Sequence, residues 1–131
     1  MDENPVVHFE MPYKDAVRVS KFYEQAFGWK MNQTGEQMGN YIMVETTKTE
    51  NGRPAQPGTV NGGLFPLQSD SSAQVPSVVI AVKNLQTALQ HVKDAGGEVI
   101  GEPTDIPGIG KYVSFNDSEG NRVSLLQPLA R

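Results

Sequence analysis

"DAVRVSKFYEQAFGW" (residues 15–29) carries Val19, Phe22, Tyr23, Ala26 and Phe27 at the spacing of one helical face. Asp15 precedes it as an N-cap whose carboxylate can accept free N–H groups of the first turn. Gly28 follows where a left-handed residue ends a helix. The pattern returns 69 positions later in "NLQTALQHVKDAGGE" (84–98), with Asn84 as cap, Leu85, Ala88, Leu89, Val92 and Ala95 as the apolar face, and Gly97 as the stop.

Strand-like segments flank both helices in matching order. "HFEMPYKD" (8–15) falls on "SVVIAVKN" (77–84) at the same offset, and "GNYIMV" (39–44) resembles "GKYVSF" (110–115) at an offset of 71. "VNGGLFPLQ" (60–68) and "GNRVSLLQP" (120–128) close the two halves. The chain therefore reads β-α-β-β-β twice. "ENGRPAQPGT" (50–59) is an inserted loop, "QSDSSAQ" (68–74) a linker, and "PGIGKY" (107–112) a turn before a strand.

One helix covers one face of a four-stranded half and leaves the other bare. The predicted fold is α+β: two βαβββ modules, about 5–68 and 75–128, forming a curved mixed eight-stranded sheet around a cleft in a single domain. Alternation along the strands assigns the faces. Val7, Phe9 and Met11 go to the helix side of the first strand, with Ile42 and Val44 in the third. Val78, Ile80 and Val82 do so in the second half. His8, Glu10, Tyr41, Met43 and Glu45 then face the cleft from one half, and Ser77, Tyr112, Ser114 and Ser124 from the other. A one-residue slip would reverse any of these strands.

Composition excludes several function classes. Net charge is −4 with the two signs interspersed, which leaves no basic face for nucleic acid or an anionic membrane. The 131 residues include no cysteine, so thiolate zinc sites, disulfides and cysteine nucleophiles are out. No apolar run nears the roughly 20 residues that span a bilayer. "MDENPVV" shows no signal-peptide pattern, and the expectation is a soluble, cytoplasmic protein.

The stretches "HFEMPYKDAVRVSKFYEQAFGW", "NGGLFP", "VIAVKNLQTALQHVKDAGGEV" and "PGIGKYVSFNDSEGNRVSLLQP" resemble the vicinal oxygen chelate superfamily of glyoxalase I, bleomycin-resistance proteins and extradiol dioxygenases. The resemblance covers residues 6–128. It implies metal ligands, His or Glu, on the first and last strands of each half. His8 stands at the first of these positions. Ser77 and Ser124 stand at two others, and the closing strand around 62–64 offers no His, Asp or Glu. His8 is thus the only family ligand position retained, and one imidazole with two neutral hydroxyls is a poor set for a divalent metal.

The resemblance implies a small-molecule-binding protein, commonly a homodimer, with an apolar or aromatic ligand and no resident cofactor. Its ligand-contacting residues are expected among His8, Glu10, Tyr41, Met43, Glu45, Ser77, Tyr112, Ser114 and Ser124. Two enzymatic readings stand beside it. One is a metal-dependent lyase, isomerase or dioxygenase whose divalent metal sits on a rearranged site of His8, Glu10 and Glu45. The other is a cofactor-free enzyme with His8 as catalytic base.

Overall fold

The computed structural model describes residues 2–69 and 73–129. Positions 70–72 of the expected linker lie outside the described residues. The fold is α+β, with two helices and eight principal strands of mixed sense, four to a unit. One unit runs from His8 to Pro76; the other joins the residues up to Val7 to those from Ser77 onward. The first few residues therefore belong with the C-terminal half, where Pro5 O accepts the Ala81 N–H at 2.9 Å.

In the His8–Pro76 unit, β1 (Val6–Tyr13) leads into α1 (Ala16–Phe27), β2 (Lys30–Gln33), β3 (Ile42–Glu45), a short β4–β5 pair (Thr49–Glu50, Arg53–Pro54) and β6 (Asn61–Pro66). The strands lie in the order β2-β3-β6-β1, with β6 parallel to β1 and antiparallel to β3. The other unit repeats this with β7 (Ser77–Ala81), α2 (Leu85–Asp94), β8 (Glu98–Ile106), β9 (Gly110–Asn116) and β10 (Arg122–Pro128), ordered β7-β10-β9-β8. Again the closing strand is parallel to the first and antiparallel to the third.

Both helices begin where their caps dictate. Asp15 Oδ1 accepts the Arg18 N–H and Asn84 Oδ1 accepts the Thr87 N–H, each at 2.9 Å. Asp15→Ala should cost about 1 kcal/mol, read as a lower urea midpoint at unchanged slope; an unmoved midpoint would contradict this. Gly28 ends α1 in the left-handed conformation at φ 69°. The second helix stops one residue earlier than the sequence implies. Ala95 is its C-cap and Gly96, not Gly97, takes the positive φ, 98°. Gly97 has a different role: a Cβ there would meet the Val92 side chain at 2.7 Å.

Each unit has its own apolar core. Ile42, Val44 and Leu64 are sealed by Phe9, Met11, Val19, Tyr23 and Trp29 on the α1 side of the sheet. Tyr23 and Trp29 stack at 4.7 Å with planes 6° apart, so Trp29 anchors the end of the helix. Phe22 and Phe27, expected on the packed face, are 57% and 65% exposed: the helix is rotated so that Ala16, Val19 and Tyr23 face inward. In the other unit Val82, Leu85, Leu89, Val113, Phe115 and Leu125 form the core. Val78 was expected there but is 39% exposed. It precedes the part of β7 that pairs with β10, which starts at Val79.

The stretch 50–59 is not wholly irregular. Asn51 and Gly52, at φ 53° and 76°, make the tight turn of the β4–β5 hairpin; an Asn-Gly pair favours this because both central residues need positive φ. Among the described residues no helix is long and apolar enough to cross a membrane.

Candidate functional site

Alternation places Phe9 and Met11 against α1 and leaves His8 and Glu10 on the helix-free face of the same strand. Glu10 is 7% exposed, deep burial for a carboxylate. Tyr41, just before β3, joins the two. Its hydroxyl donates to Glu10 Oε2 at 3.0 Å and lies 3.0 Å from His8 Nε2. Three side chains distant in sequence thus form one hydrogen-bonded chain.

Tyr41 reaches β1 by crossing β6, which lies between β3 and β1. The crossing requires a bare strand. Gly63 faces Glu10 on one side and Met43 on the other, and a Cβ built on it would overlap the Tyr41 ring and hydroxyl. Gly62 does the same for the other face, where a Cβ would overlap the Phe9 ring. Glycine inside a strand often marks such a close approach. The Gly62–Gly63 doublet is the sequence signal for these two close approaches, although the same stretch also fits an ordinary closing strand.

The Tyr41 backbone is fixed from both sides. Its carbonyl accepts the Thr34 N–H at 3.1 Å and the Thr34 hydroxyl at 2.6 Å. The Tyr13 hydroxyl donates to the neighbouring Asn40 carbonyl at 2.8 Å. Asn40 itself adopts a left-handed conformation, φ 56°, which Asn tolerates better than most residues.

Burial lowers the His8 pKa from 6.5 to about 4, because the half-buried ring loses the water that would solvate its charge. At neutral pH the imidazole is therefore uncharged. A base with so acidic a conjugate acid is weak at neutral pH, where general-base catalysis favours a pKa near the operating pH.

The other unit carries a hydroxyl cluster on β9 and β10. Ser124 is fully buried and Ser114 is 4% exposed. Ser124 Oγ lies 2.7 Å from Tyr112 Oη and 2.9 Å from Ser114 Oγ, and Ser114 Oγ donates to Tyr112 Oη at 3.4 Å. Ser77, half-buried at the start of β7, takes no part in these bonds, and Met43 and Glu45 are half-buried on β3 outside the His8 chain. The structure thus assembles two groups, His8–Tyr41–Glu10 and Tyr112–Ser114–Ser124.

These residues do not fit a divalent cation. Among the described residues no three His, Asp or Glu side chains converge, so Glu45 does not complete a rearranged ligand set with His8 and Glu10. Ser124 stands where the family resemblance calls for a carboxylate, and its hydroxyl is engaged by two others. An open groove of about 490 Å³ lies between α2 and β8, lined in part by Lys93, Glu98 and Glu102. All three are exposed, with no buried polar group among them, so the groove lacks the convergent chemistry of the His8 face.

Comparison with known proteins adds a sequence match and a structural likeness. The sequence profile described as Glyoxalase/Bleomycin resistance protein/Dioxygenase superfamily matches residues 6–125. "Putative glyoxylase CFP32" of Mycobacterium bovis and of Mycobacterium tuberculosis is 37% identical over 51 residues, 39% of this chain. The match covers 20% of that relative, so the chain corresponds to only a small part of the curated relatives it matches. Among solved structures, a variant of the Streptomyces coelicolor methylmalonyl-CoA epimerase in complex with 2-nitronate-propionyl-CoA aligns at TM-score 0.69 and 17% identity. That alignment covers 95% of this chain and 97% of the epimerase. A hypothetical protein, BH1468 of Bacillus halodurans, aligns at TM-score 0.70 and 16% identity over 99% of this chain and 98% of its own. At these identities the likeness shows the fold alone.

Proposed function

Because the chain belongs to the glyoxalase/bleomycin-resistance/dioxygenase superfamily, we propose that it binds a small organic molecule on the helix-free face of the His8 unit, with the His8–Tyr41–Glu10 chain orienting the ligand. The observation that supports this reading is a neutral imidazole and a buried carboxylate joined through one tyrosine hydroxyl. Such a group supplies the few directional hydrogen bonds by which small-molecule sites orient a ligand. The low His8 pKa favours binding over general-base catalysis by this residue. The donor set favours a ligand held without a metal.

The test is a thermal-shift screen of aromatic acids, phenols and acyl-CoA thioesters in excess chelator. The thioesters are included because the epimerase neighbour is in complex with one such compound. A hit should stabilise the wild type and not His8→Ala. If every hit vanished in chelator and returned with metal, the metal-free reading would fail. We also propose a homodimer, as the family resemblance implies; sedimentation as a single species near 14.3 kDa would overturn that.

A further inference from the structure

The Tyr41 hydroxyl has one proton and lies within hydrogen-bond distance of both Glu10 and His8. Given to Glu10 Oε2, that proton leaves the tyrosine oxygen able only to accept from His8. Nε2 must then carry the imidazole proton. Nδ1, which has no partner among the described residues, becomes the outer end of a chain in which every bond points inward toward Glu10. Nor is Nδ1 sealed away: the buried polar side-chain atoms without a partner among the described residues are Ser20 Oγ and Asn116 Oδ1. Exposure follows the same order, with His8 half-buried and Glu10 buried.

We infer that the Glu10–Tyr41 pair locks His8 in its Nε2–H tautomer, so that Nδ1 is a fixed hydrogen-bond acceptor and the face selects ligands presenting a neutral hydroxyl donor. This rests on the small-molecule-binding reading and deepens it by naming the ligand chemistry. Burial supports it, because a ring kept neutral has one nitrogen as donor and the other as acceptor. A ligand offering only an acceptor to Nδ1 would leave two lone pairs facing each other, and its loss of affinity is the basis of the selection.

The tautomer can be read without any ligand. His8 and His91 are the two histidines, and His91 is exposed on α2. Full-length His91→Gln protein labelled with nitrogen-15 at histidine therefore reports His8 alone. At neutral pH its two ring nitrogens should show one protonated Nε2 and one bare Nδ1. Adding Tyr41→Phe should give a mixture of tautomers. Phenol and anisole, which differ in the hydroxyl proton, are then titrated against the wild type and His8→Phe. Phenol should bind the wild type about three- to tenfold more tightly than anisole, and His8→Phe should erase the difference.

A protonated Nδ1 in the Tyr41-containing protein would overturn the assignment, as would a tautomer unmoved by Tyr41→Phe. Equal affinities for the two probes would overturn the ligand selection while leaving the binding reading intact. If neither probe perturbed this face at millimolar concentration, the selection would fail, and the binding reading would fail with it only if the wider ligand screen were silent too.

Discussion

Gly63→Ala is expected to destabilise the protein by about 1–3 kcal/mol, the usual range for forcing an extra carbon into a packed site. Without the crowding, alanine would be the better strand residue, since glycine loses more backbone freedom on folding. The sign is set by Tyr41: a Cβ at position 63 would occupy the space of its ring and hydroxyl. The ring must move, and with it go the bonds to His8 and Glu10. The cause can be isolated by a double-mutant cycle. In a Tyr41→Ala background the same substitution should cost almost nothing, because the overlapping ring is gone. Equal costs in both backgrounds, measured by urea unfolding, would show that something other than the tyrosine resists the methyl group.

Acidification is expected to be the second large perturbation. An unfolded chain protonates His8 near 6.5, whereas the folded protein does so only at about 4. Between those values the unfolded state holds more protons, so stability falls as pH falls. The contribution is fully present above 6.5 and is spent by about pH 4. At about 1.4 kcal/mol per pH unit, the loss from this one group approaches about 3 kcal/mol. Urea unfolding at pH 7 and pH 4.5 would measure it. His8→Gln lowers stability at both pH values by whatever the lost ring contributed, but should make the difference between them markedly smaller. Parallel losses in wild type and variant would assign the acid sensitivity to other groups.

The fold was legible because the helices are marked twice over. Asp15 and Asn84 cap them at matching positions, and apolar spacing and strand order recur in both halves. Finer features were decided by packing that a spacing rule does not contain. Phe22 and Phe27 fit a helical stripe, yet the helix settles on Ala16, Val19 and Tyr23. Gly97 lies one place beyond the true stop because close approach of Val92 excludes any side chain there, a demand that looks in sequence like a cap.

The side chains of the candidate site could be nominated from strand alternation, but not sorted. Nothing in the spacing distinguishes Glu10, which Tyr41 reaches, from Glu45, which lies outside the chain. That choice depends on which strand lies between which others, and on the accident of a glycine, Gly63, where β6 must be crossed. The short β4–β5 hairpin was within reach, since Asn51 and Gly52 carry the strongest short-range turn signal.

The two units share strand order, capping and an inward tyrosine, but their chemistry differs. Tyr41 is bonded to an imidazole and a carboxylate, Tyr112 to two serines, which do not ionise at ordinary pH. The duplication thus supplies an internal reference. In one spectrum of one sample, ring signals of the two tyrosines can be followed through a titration. Drift common to both reports solvent and temperature, and what remains in Tyr41 after subtraction follows the imidazole and carboxylate bonded to it.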